Sequence, residues 1–194
     1  MSRVLVAITG ASGAIYGVRL IQRLVSEGQP VDVVVSGPGA KVLGIEHGLT
    51  GDPGSWFPEG VPDGLNVLTN GDIAAPPASG SRAPSAMIVI PCSMGTVARI
   101  ATGISSTLIE RCADVALKER RPLVIVPRET PLSTIHLRNL LTLAEAGAHV
   151  VPAMPAFYTK PVDLEDAIAF VVDRAIQSAG VDLPLRKTWR EDAP

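Results

Sequence analysis

Short apolar runs alternate along the chain with longer segments in which apolar residues recur every three or four positions. Each run is almost uninterrupted by polar residues, which is typical of strands covered on both faces of a parallel sheet. The five predicted strands are residues 4–8, 31–36, 86–91, 123–127 and 148–152. The pattern therefore predicts an α/β fold in which helices cover both faces of the sheet.

The segments between these runs have helical periodicity. In the first of them Ile15, Val18 and Ile21 share one side while Arg19 lies opposite, which predicts a helix from about residue 13. The other predicted helices are residues 40–47, about 95–120 and about 132–146, and a last one that begins near Asp163. Strands separated by helices in this order are expected to pair in parallel.

Residues 51–85 interrupt this rhythm. The stretch is crowded with proline, glycine and serine, which predicts a long excursion from the fold rather than a linker between domains. Structureless stretches of that length in compact domains are usually functional or pack on a partner. We therefore interpret residues 1–194 as a single domain that carries this excursion and a C-terminal tail at residues 180–194.

The composition narrows the functional class. Of the 194 residues, 46% are hydrophobic and 19% are charged, which is the balance of a folded globular protein. The formal net charge of −2 provides no basic surface for nucleic acid or for an anionic membrane. No apolar run approaches the roughly 18 residues of a spanning helix. The lack of such a run and the two cysteines that form no CxxC pair predict a cytoplasmic protein. With so little net charge, we expect it to bind anions only through local clusters of basic residues.

The stretch ITGASGAIYG at residues 8–17 places a glycine-rich turn between the first strand and the first helix. A dinucleotide fingerprint requires G-x-G-x-x-G, but this chain has Gly10, Ser12 and Ile15 at those positions. The second strand ends in Ser36, where an NAD enzyme has an acidic residue. The turn thus favours a mononucleotide phosphate, or a serine placed near a ring, over NAD. Close packing of strand and helix is the alternative interpretation.

Ligands in open parallel sheets bind beyond the carboxyl ends of the strands, so the residues that follow each strand are candidates. Residues 92–96 (CSMGT) follow the third predicted strand, and Arg128 and Glu129 follow the fourth. Arg128 is suited to hold a phosphate and Glu129 to exchange protons with it. The alternative is an Arg–Glu pair that only caps the sheet edge. Tyr158 and Lys160 lie in the loop after the fifth strand.

Arg111, Lys118 and Trp189 have two interpretations each, and Arg174 has one. Arg111 and Lys118 are seven residues apart, on nearly the same helix face, and either present a cationic surface to a phosphorylated substrate or are simply solvated. Arg174 borders an apolar helical stripe, where its stem would be buried and its head exposed. Trp189 lies in a polar tail and either docks on a neighbour or closes a pocket.

The cysteines and histidines show no pattern of a nucleophile or a metal site. Cys92 has no histidine at a spacing that would supply a base, so a buried thiol is the better interpretation. The three histidines, His47, His136 and His149, are scattered singly. We therefore expect no metal.

Five motifs in order, GASGAIYGVRL, PCSMGT, ADVALKERRPLV, RETPLS and PAFYTKP, resemble the flavin prenyltransferase family of the UbiX type, over about residue 3 to Trp189. The resemblance implies a Rossmann-like three-layer αβα sandwich with a mostly parallel sheet. It also implies transfer of a dimethylallyl group from dimethylallyl phosphate to N5 and C6 of reduced FMN without a metal. The product, prenylated FMN, would serve a partner decarboxylase of the UbiD type. Members form trimers packed into a dodecamer, with active sites at subunit interfaces.

The resemblance also implies roles for individual residues. The expected flavin contacts are Gly10, Ala11, Ser12, Ser36, Ser93, Met94, Gly95, Thr96 and Arg128. The expected contacts to the prenyl donor are Arg111, Lys118, Glu129, Tyr158 and Arg174, with Trp189 as an aromatic wall. The expected catalytic residues are Ser12, Glu46, Glu129 and Tyr158. Ser12 and Glu46 would relay the N5 proton.

Two alternatives stay open. A flavin-dependent decarboxylase of the cysteine-oxidising type shares the fold but has a PASANT-like motif and a catalytic histidine after the first helix; this chain has PCSMGT and only His47 nearby. A carrier that binds FMN without chemistry is the other, because many family members have lysine where this chain has Gly95. The presence of Glu129, Tyr158 and Arg174 favours the enzyme, since a carrier needs no second phosphate pocket.

Overall fold

The computed structural model describes residues 3–184, and its centre is a six-stranded, all-parallel sheet. The strands are β1 (Val4–Ile8), β2 (Val31–Val35), β3 (Leu65–Thr69), β4 (Ala86–Cys92), β5 (Leu123–Pro127) and β6 (His149–Val150). Their order across the sheet is β3-β2-β1-β4-β5-β6. The chain thus starts in the middle of the sheet and extends first to one side and then to the other, as in doubly wound folds.

Six α-helices of the described part cover the two faces of the sheet. They are α1 (Ile15–Ser26), α2 (Gly37–His47), α3 (Met94–Ala101), α4 (Leu108–Lys118), α5 (Thr134–Glu145) and α6 (Leu164–Ser178). Alternate residues of β1 point to opposite faces. Val4 and Val6 join the core under α1 and α6, whereas Leu5 and Ala7 join the core under α3 and α4. The predicted α/β sandwich with helices on both faces is confirmed.

The sequence suggested that the excursion at residues 51–85 has no regular structure, but the structure shows otherwise. It contains β3, which pairs in parallel with β2 from Val31 opposite Leu65 to Val35 opposite Thr69. It also contains the buried Trp56, whose indole N–H donates to the carbonyl of Thr50 at 3.0 Å. Most of this segment therefore belongs to the domain, as an edge strand with short helical turns on either side.

The single helix expected at residues 95–120 is two helices. α3 ends at Ala101, Gly103 has φ of +75°, and α4 begins at Leu108 after a capping box in which Thr107 and Glu110 each bind the other's backbone N–H. A left-handed residue and a new cap between the two segments end one helix and start another.

The observed ends of several other elements differ by a few residues from the predicted ones, for similar reasons. α1 begins at Ile15 rather than near residue 13, because Gly13 has φ of +89° and lies outside the helical region. α2 begins at Gly37 rather than residue 40, since Ser36 caps it. β6 is shorter than the run at residues 148–152, and α6 begins where expected, with Asp163 as its cap. No helix within residues 3–184 has the length and hydropathy needed to cross a membrane.

Candidate functional site

Three helices begin around one cavity at the carboxyl ends of the strands. The cavity has a volume of about 270 Å³, and Ser36, Ser93 and Thr107, the caps of α2, α3 and α4, line it. The Ser36 hydroxyl oxygen accepts the N–H of Gly39 at 3.0 Å, and that of Ser93 accepts the N–H of Thr96 at 3.3 Å. Helix N-termini carry partial positive charge and unpaired N–H groups, so this cavity is suited to an anion.

The wall next to β1 is held by close packing and by one buried hydroxyl. Thr9 is 1% exposed; its hydroxyl donates to the carbonyl of Pro91 at 2.9 Å and accepts the N–H of Ser93 at 2.8 Å. A Cβ at Gly10 would lie 2.4 Å from the Cβ of Pro38. Gly10 is therefore required for the start of α2 to approach the end of β1 this closely.

An ion pair that the sequence interpretation missed crosses the same cavity. Arg99 donates from Nε to the Glu110 carboxylate and from Nη2 to the Thr96 hydroxyl at 3.2 Å. Glu110 is 2% exposed and also accepts the N–H groups of Ser106 and Thr107 at 2.8 and 3.1 Å. Burial acts to raise the pKa of Glu110, but Arg99 and the N–H and hydroxyl groups of Ser106 outweigh it and lower the pKa. The T-x-x-E spacing of the capping box was the available signal for Glu110.

Beside the cavity, Glu46 and Ser12 form the second part of the site. The Glu46 carboxylate, a quarter exposed, accepts the N–H of Gly13 at 2.8 Å. Burial acts to raise its pKa, but hydrogen bonds from the Ser12 hydroxyl and from the N–H groups of Gly13 and Ala14 lower it overall. Glu46 is therefore ionised at neutral pH and close enough to the Ser12 hydroxyl for that hydroxyl to lower its pKa, an arrangement that suits a proton acceptor. His47 Nε2 lies 3.6 Å from the same carboxylate.

Arg128 links the end of β5 to the glycine turn. Its Nε donates to the carbonyl oxygen of Ser12 at 3.0 Å. Its charge acts to lower the pKa of Tyr16, although burial has the larger effect and raises it. Glu129 is exposed and accepts the N–H of Thr130 at 3.0 Å. Within residues 3–184 no ion pair joins Arg128 to Glu129, so the interpretation as a simple capping pair is not supported.

The remaining turn residues lie around these groups. Ala11 is buried, and its N–H donates to the carbonyl of Thr9 at 2.9 Å. Met94 is buried in the first turn of α3, while Gly95 is exposed there. The expected flavin contacts at residues 10–12, 36, 93–96 and 128 therefore all lie at the carboxyl ends of β1, β2, β4 and β5.

Four expected donor-binding residues lie elsewhere in the single chain. Tyr158 packs edge-on against Phe170, with ring centroids 5.9 Å apart, and the exposed Arg174 donates to Gln177. Arg111 donates to the carbonyl of Ala78 at 3.2 Å and to Asp114 at 2.8 Å.

Lys118 ends α4, whose cap Thr107 and early residues Ile109 and Glu110 line the cavity, and it pairs with Glu119 at 2.5 Å. At 1.5 Å per residue the end of α4 is about 15 Å from its start. Lys118 therefore lies far from the cavity, Arg111 does not line it although it follows Glu110, and Trp189 lies outside the described residues.

Neither cysteine is suited to nucleophilic chemistry. Cys92 and Cys112 are both buried and unpaired. Burial raises the pKa of Cys92 well above its ordinary value and that of Cys112 to about 12. Both thiols are therefore protonated, in agreement with the interpretation of Cys92 as a structural thiol.

Comparisons with known proteins agree with one another. Residues 1–175 match the Flavoprotein family. The flavin prenyltransferase UbiX of Pseudomonas aeruginosa is 44% identical over 197 residues, an alignment that covers 97% of this chain and 94% of that protein. AnUbiX (PadA1), solved in complex with FMN and dimethylallyl pyrophosphate, has a TM-score of 0.89 at 39% identity and 97% coverage of both chains. A dodecameric FMN-dependent UbiX-like decarboxylase from Escherichia coli O157:H7 has a TM-score of 0.87 at 39% identity, with 97% and 99% coverage.

Proposed function

Because the chain belongs to the Flavoprotein family and, within it, to the UbiX flavin prenyltransferases, we propose that it transfers a dimethylallyl group from dimethylallyl phosphate to N5 and C6 of reduced FMN. The observation that carries the proposal is the pairing of Ser12 with an ionised Glu46 beside a cavity surrounded by three helix N-termini. An acid–base pair next to an anion cavity is what alkylation of a phosphate-bearing flavin requires.

The residues of the cavity fit FMN. Its phosphate would be held by the N-terminal N–H groups of α2 and α3 and by the hydroxyls of Ser36 and Ser93, each of which accepts a backbone N–H. The Ser36 hydroxyl still has its O–H to donate, while the Ser93 hydroxyl shares a hydrogen bond with the Thr96 hydroxyl at 3.1 Å. The glycine turn from Gly10 to Ser12, with Arg128 across it, would lie against the ring. Reduced FMN supplies the nucleophilic N5 and C6 atoms.

Ser12 and Glu46 move the N5 proton in this proposal. The Ser12 hydroxyl donates to Glu46, so a lone pair of its oxygen is available to accept a proton from N5 while its own proton passes to the carboxylate. The lowered pKa of Glu46 makes the carboxylate a weaker base, but it keeps the carboxylate deprotonated at neutral pH and therefore available to take the proton. The N–H of Gly13, 2.8 Å from Glu46, fixes the orientation of the carboxylate.

Departure of the allylic phosphate needs several cations and a proton source. Arg111, Lys118 and Arg174 would bind the phosphate together with Tyr158, and Glu129 would exchange a proton with it. Trp189 would shield the allylic cation from water. Since neither Arg111 nor Lys118 lines the cavity within one chain, we propose that a neighbouring chain supplies them.

A homo-oligomer would complete the site in this way. Large apolar side chains on α5, in the loop before α6 and at the first position of α6 are exposed: Ile135 (67%), Leu141 (58%), Met154 (67%), Phe157 (83%), Val162 (86%) and Leu164 (73%). Exposed apolar surface of this extent marks protein–protein contacts, and the E. coli relative is dodecameric. We propose the same dodecamer of trimers for this chain. We also propose a cytoplasmic location and a UbiD-type decarboxylase as the recipient of prenylated FMN.

A flavin-dependent decarboxylase is the second candidate. The E. coli relative is described as a decarboxylase, and His47 lies 3.6 Å from Glu46. A carrier that binds FMN without chemistry is the third, and bound flavin would look the same in all three cases.

Turnover separates these functions. Purified protein would be incubated without oxygen with reduced FMN and either dimethylallyl phosphate or the pyrophosphate, and the extracted flavin analysed by mass spectrometry. We expect a flavin heavier by one C5 prenyl unit only when protein and donor are both present. Unmodified FMN that copurifies would overturn the transferase, and loss of CO2 from an added carboxylic acid would identify the decarboxylase.

A further inference from the structure

Arg99 is the only cationic residue among the described residues that line the cavity, and Glu110 is the only acidic one. Two of the three guanidinium nitrogens of Arg99 are engaged, Nε with Glu110 and Nη2 with Thr96. Within residues 3–184 no group accepts a hydrogen bond from Nη1. This nitrogen lies over the first turn of α3, where a Cβ on Gly95 would be 3.4 Å away. Arg99 thus has an unused donor at the start of a helix.

The charges around the cavity indicate what this donor is for. Glu110 is buried and ionised, and alone it would repel an anion. Arg99 cancels that charge, so the positive ends of α2, α3 and α4 act on an anion without opposition. The Arg99 side chain remains 46% exposed, although it is paired.

We propose that Arg99 is a binding residue for the 5′-phosphate of FMN, with Nη1 as the donor. The inference rests on the proposed function, because it takes FMN as the ligand of the cavity. Nε and Nη2 hold the guanidinium in one orientation through Glu110 and Thr96, while the Ser36 hydroxyl, which accepts the N–H of Gly39, keeps its O–H for the phosphate at the start of α2. The phosphate thus meets one full positive charge as well as the partial charges of the helices.

Riboflavin, which lacks the phosphate, provides the test. Dissociation constants for oxidised FMN and riboflavin would be measured by quenching of flavin fluorescence, for the native protein and for Arg99→Gln. We expect native protein to prefer FMN. Loss of a charge-assisted hydrogen bond should weaken FMN binding about tenfold to a hundredfold. Riboflavin binding should change less than about threefold, because it makes no such bond.

Two further variants separate phosphate binding from structure. The double variant Arg99→Gln/Glu110→Gln removes both charges and therefore leaves no unpaired buried carboxylate. The side-chain carbonyl at position 110 can still accept the backbone N–H groups at the start of α4. We expect this double variant to fold and to bind riboflavin normally, yet to lack the preference for FMN. Arg19→Gln is the matched control, since Arg19 is 40% exposed, pairs with Glu165 at 2.7 Å and lines no part of the cavity. It should bind both flavins as the native protein does.

Three results would overturn the inference. Arg99→Gln could keep the native preference for FMN, or the double variant could regain full FMN affinity, which would make Arg99 only a neutraliser of Glu110. A weakened affinity for dimethylallyl phosphate with an unchanged preference for FMN would assign Arg99 to the donor instead. In each case native protein still binds FMN, so the proposed function would survive. Native protein that binds no FMN would overturn both.

Discussion

Replacing Glu46 with glutamine tests the proton relay directly. The substitution keeps the size of the side chain and one carbonyl oxygen, but it removes the charge that receives three hydrogen bonds. These come from the N–H groups of Gly13 and Ala14 and from the hydroxyl of Ser12. A glutamine in this position can still orient Ser12, but it cannot accept the proton.

Glu46→Gln should have a small effect on stability and a large effect on the rate of prenyl transfer. A hydrogen bond to a charged group contributes about 1.5–3 kcal/mol and a neutral one about 0.5–1.5 kcal/mol. With a side chain that is a quarter exposed, the free energy of unfolding should fall by only about 1–2 kcal/mol. General acid–base catalysis contributes about 10²–10⁴-fold, so the rate of prenyl transfer should fall by about that factor.

The pH dependence follows from the lowered pKa of Glu46. A carboxylate with a depressed pKa in the folded state stabilises the protein above its unfolded-state pKa, and this contribution is lost as the pH falls through the folded-state pKa. The losses of unfolding free energy and of transfer rate caused by Glu46→Gln should therefore not vary with pH near neutrality. The difference in unfolding free energy should shrink only below about pH 4.

The assay is single-turnover formation of prenylated FMN without oxygen, with FMN binding measured separately. Glu27→Gln is the matched control, because Glu27 is 33% exposed and pairs with Arg23 at 2.7 Å at the far end of α1. The Glu46→Gln variant should bind FMN normally and fail in transfer, while the Glu27→Gln control should bind FMN and transfer the prenyl group as the native protein does. Native turnover in Glu46→Gln would refute the relay, and equal loss of FMN binding and turnover would make the role of Glu46 structural.

Three further predictions concern other parts of the site. Gly10→Ala should lower the free energy of unfolding, measured by thermal denaturation, by about 1–3 kcal/mol, because the new Cβ would lie 2.4 Å from the Cβ of Pro38. Gly37→Ala is the control: its new Cβ would have no atom within 4 Å, so the free energy of unfolding should change little. Glu110→Gln should be less stable than native protein at pH 7 in urea unfolding, with a difference that shrinks below about pH 4 because the folded-state pKa is lowered; a constant difference would contradict this. Lys118→Met should bind FMN normally yet lose at least about tenfold in transfer rate, and an unchanged rate would exclude it from the donor pocket.

Residues with strong local signals predicted most of the fold. β1 and β4 are apolar throughout and buried throughout, so their periodicity identified them. β3 has no such signal, because all five of its residues keep some exposure and it is held by pairing with β2 at the sheet edge. Only the tertiary structure reveals such a strand.

The candidate site was predictable to a different degree. The glycine turn and Arg128 were visible from the rule that ligands bind at strand ends, and the expected family is confirmed. The contact between Glu46 and Gly13 joins residues 33 apart, so it followed only from the resemblance. Arg99 and Glu110 were missed, because each looks like an ordinary charged residue of a helix surface until α3 and α4 are packed together. The catalytic and binding roles stay predictions.

The central claim is that prenyl transfer occurs at a site shared by two chains, and subunit complementation tests it most directly. Glu46→Gln and Lys118→Met, each expected to be impaired in transfer when alone, would be coexpressed in equal amounts and the mixed oligomers assayed for prenylated FMN. If the site combines Ser12 and Glu46 of one chain with Arg111 and Lys118 of its neighbour, about a quarter of the sites contain two native halves, and activity should return to about a quarter of the native value. Mixed oligomers no more active than the two variants assayed separately would contradict the shared site.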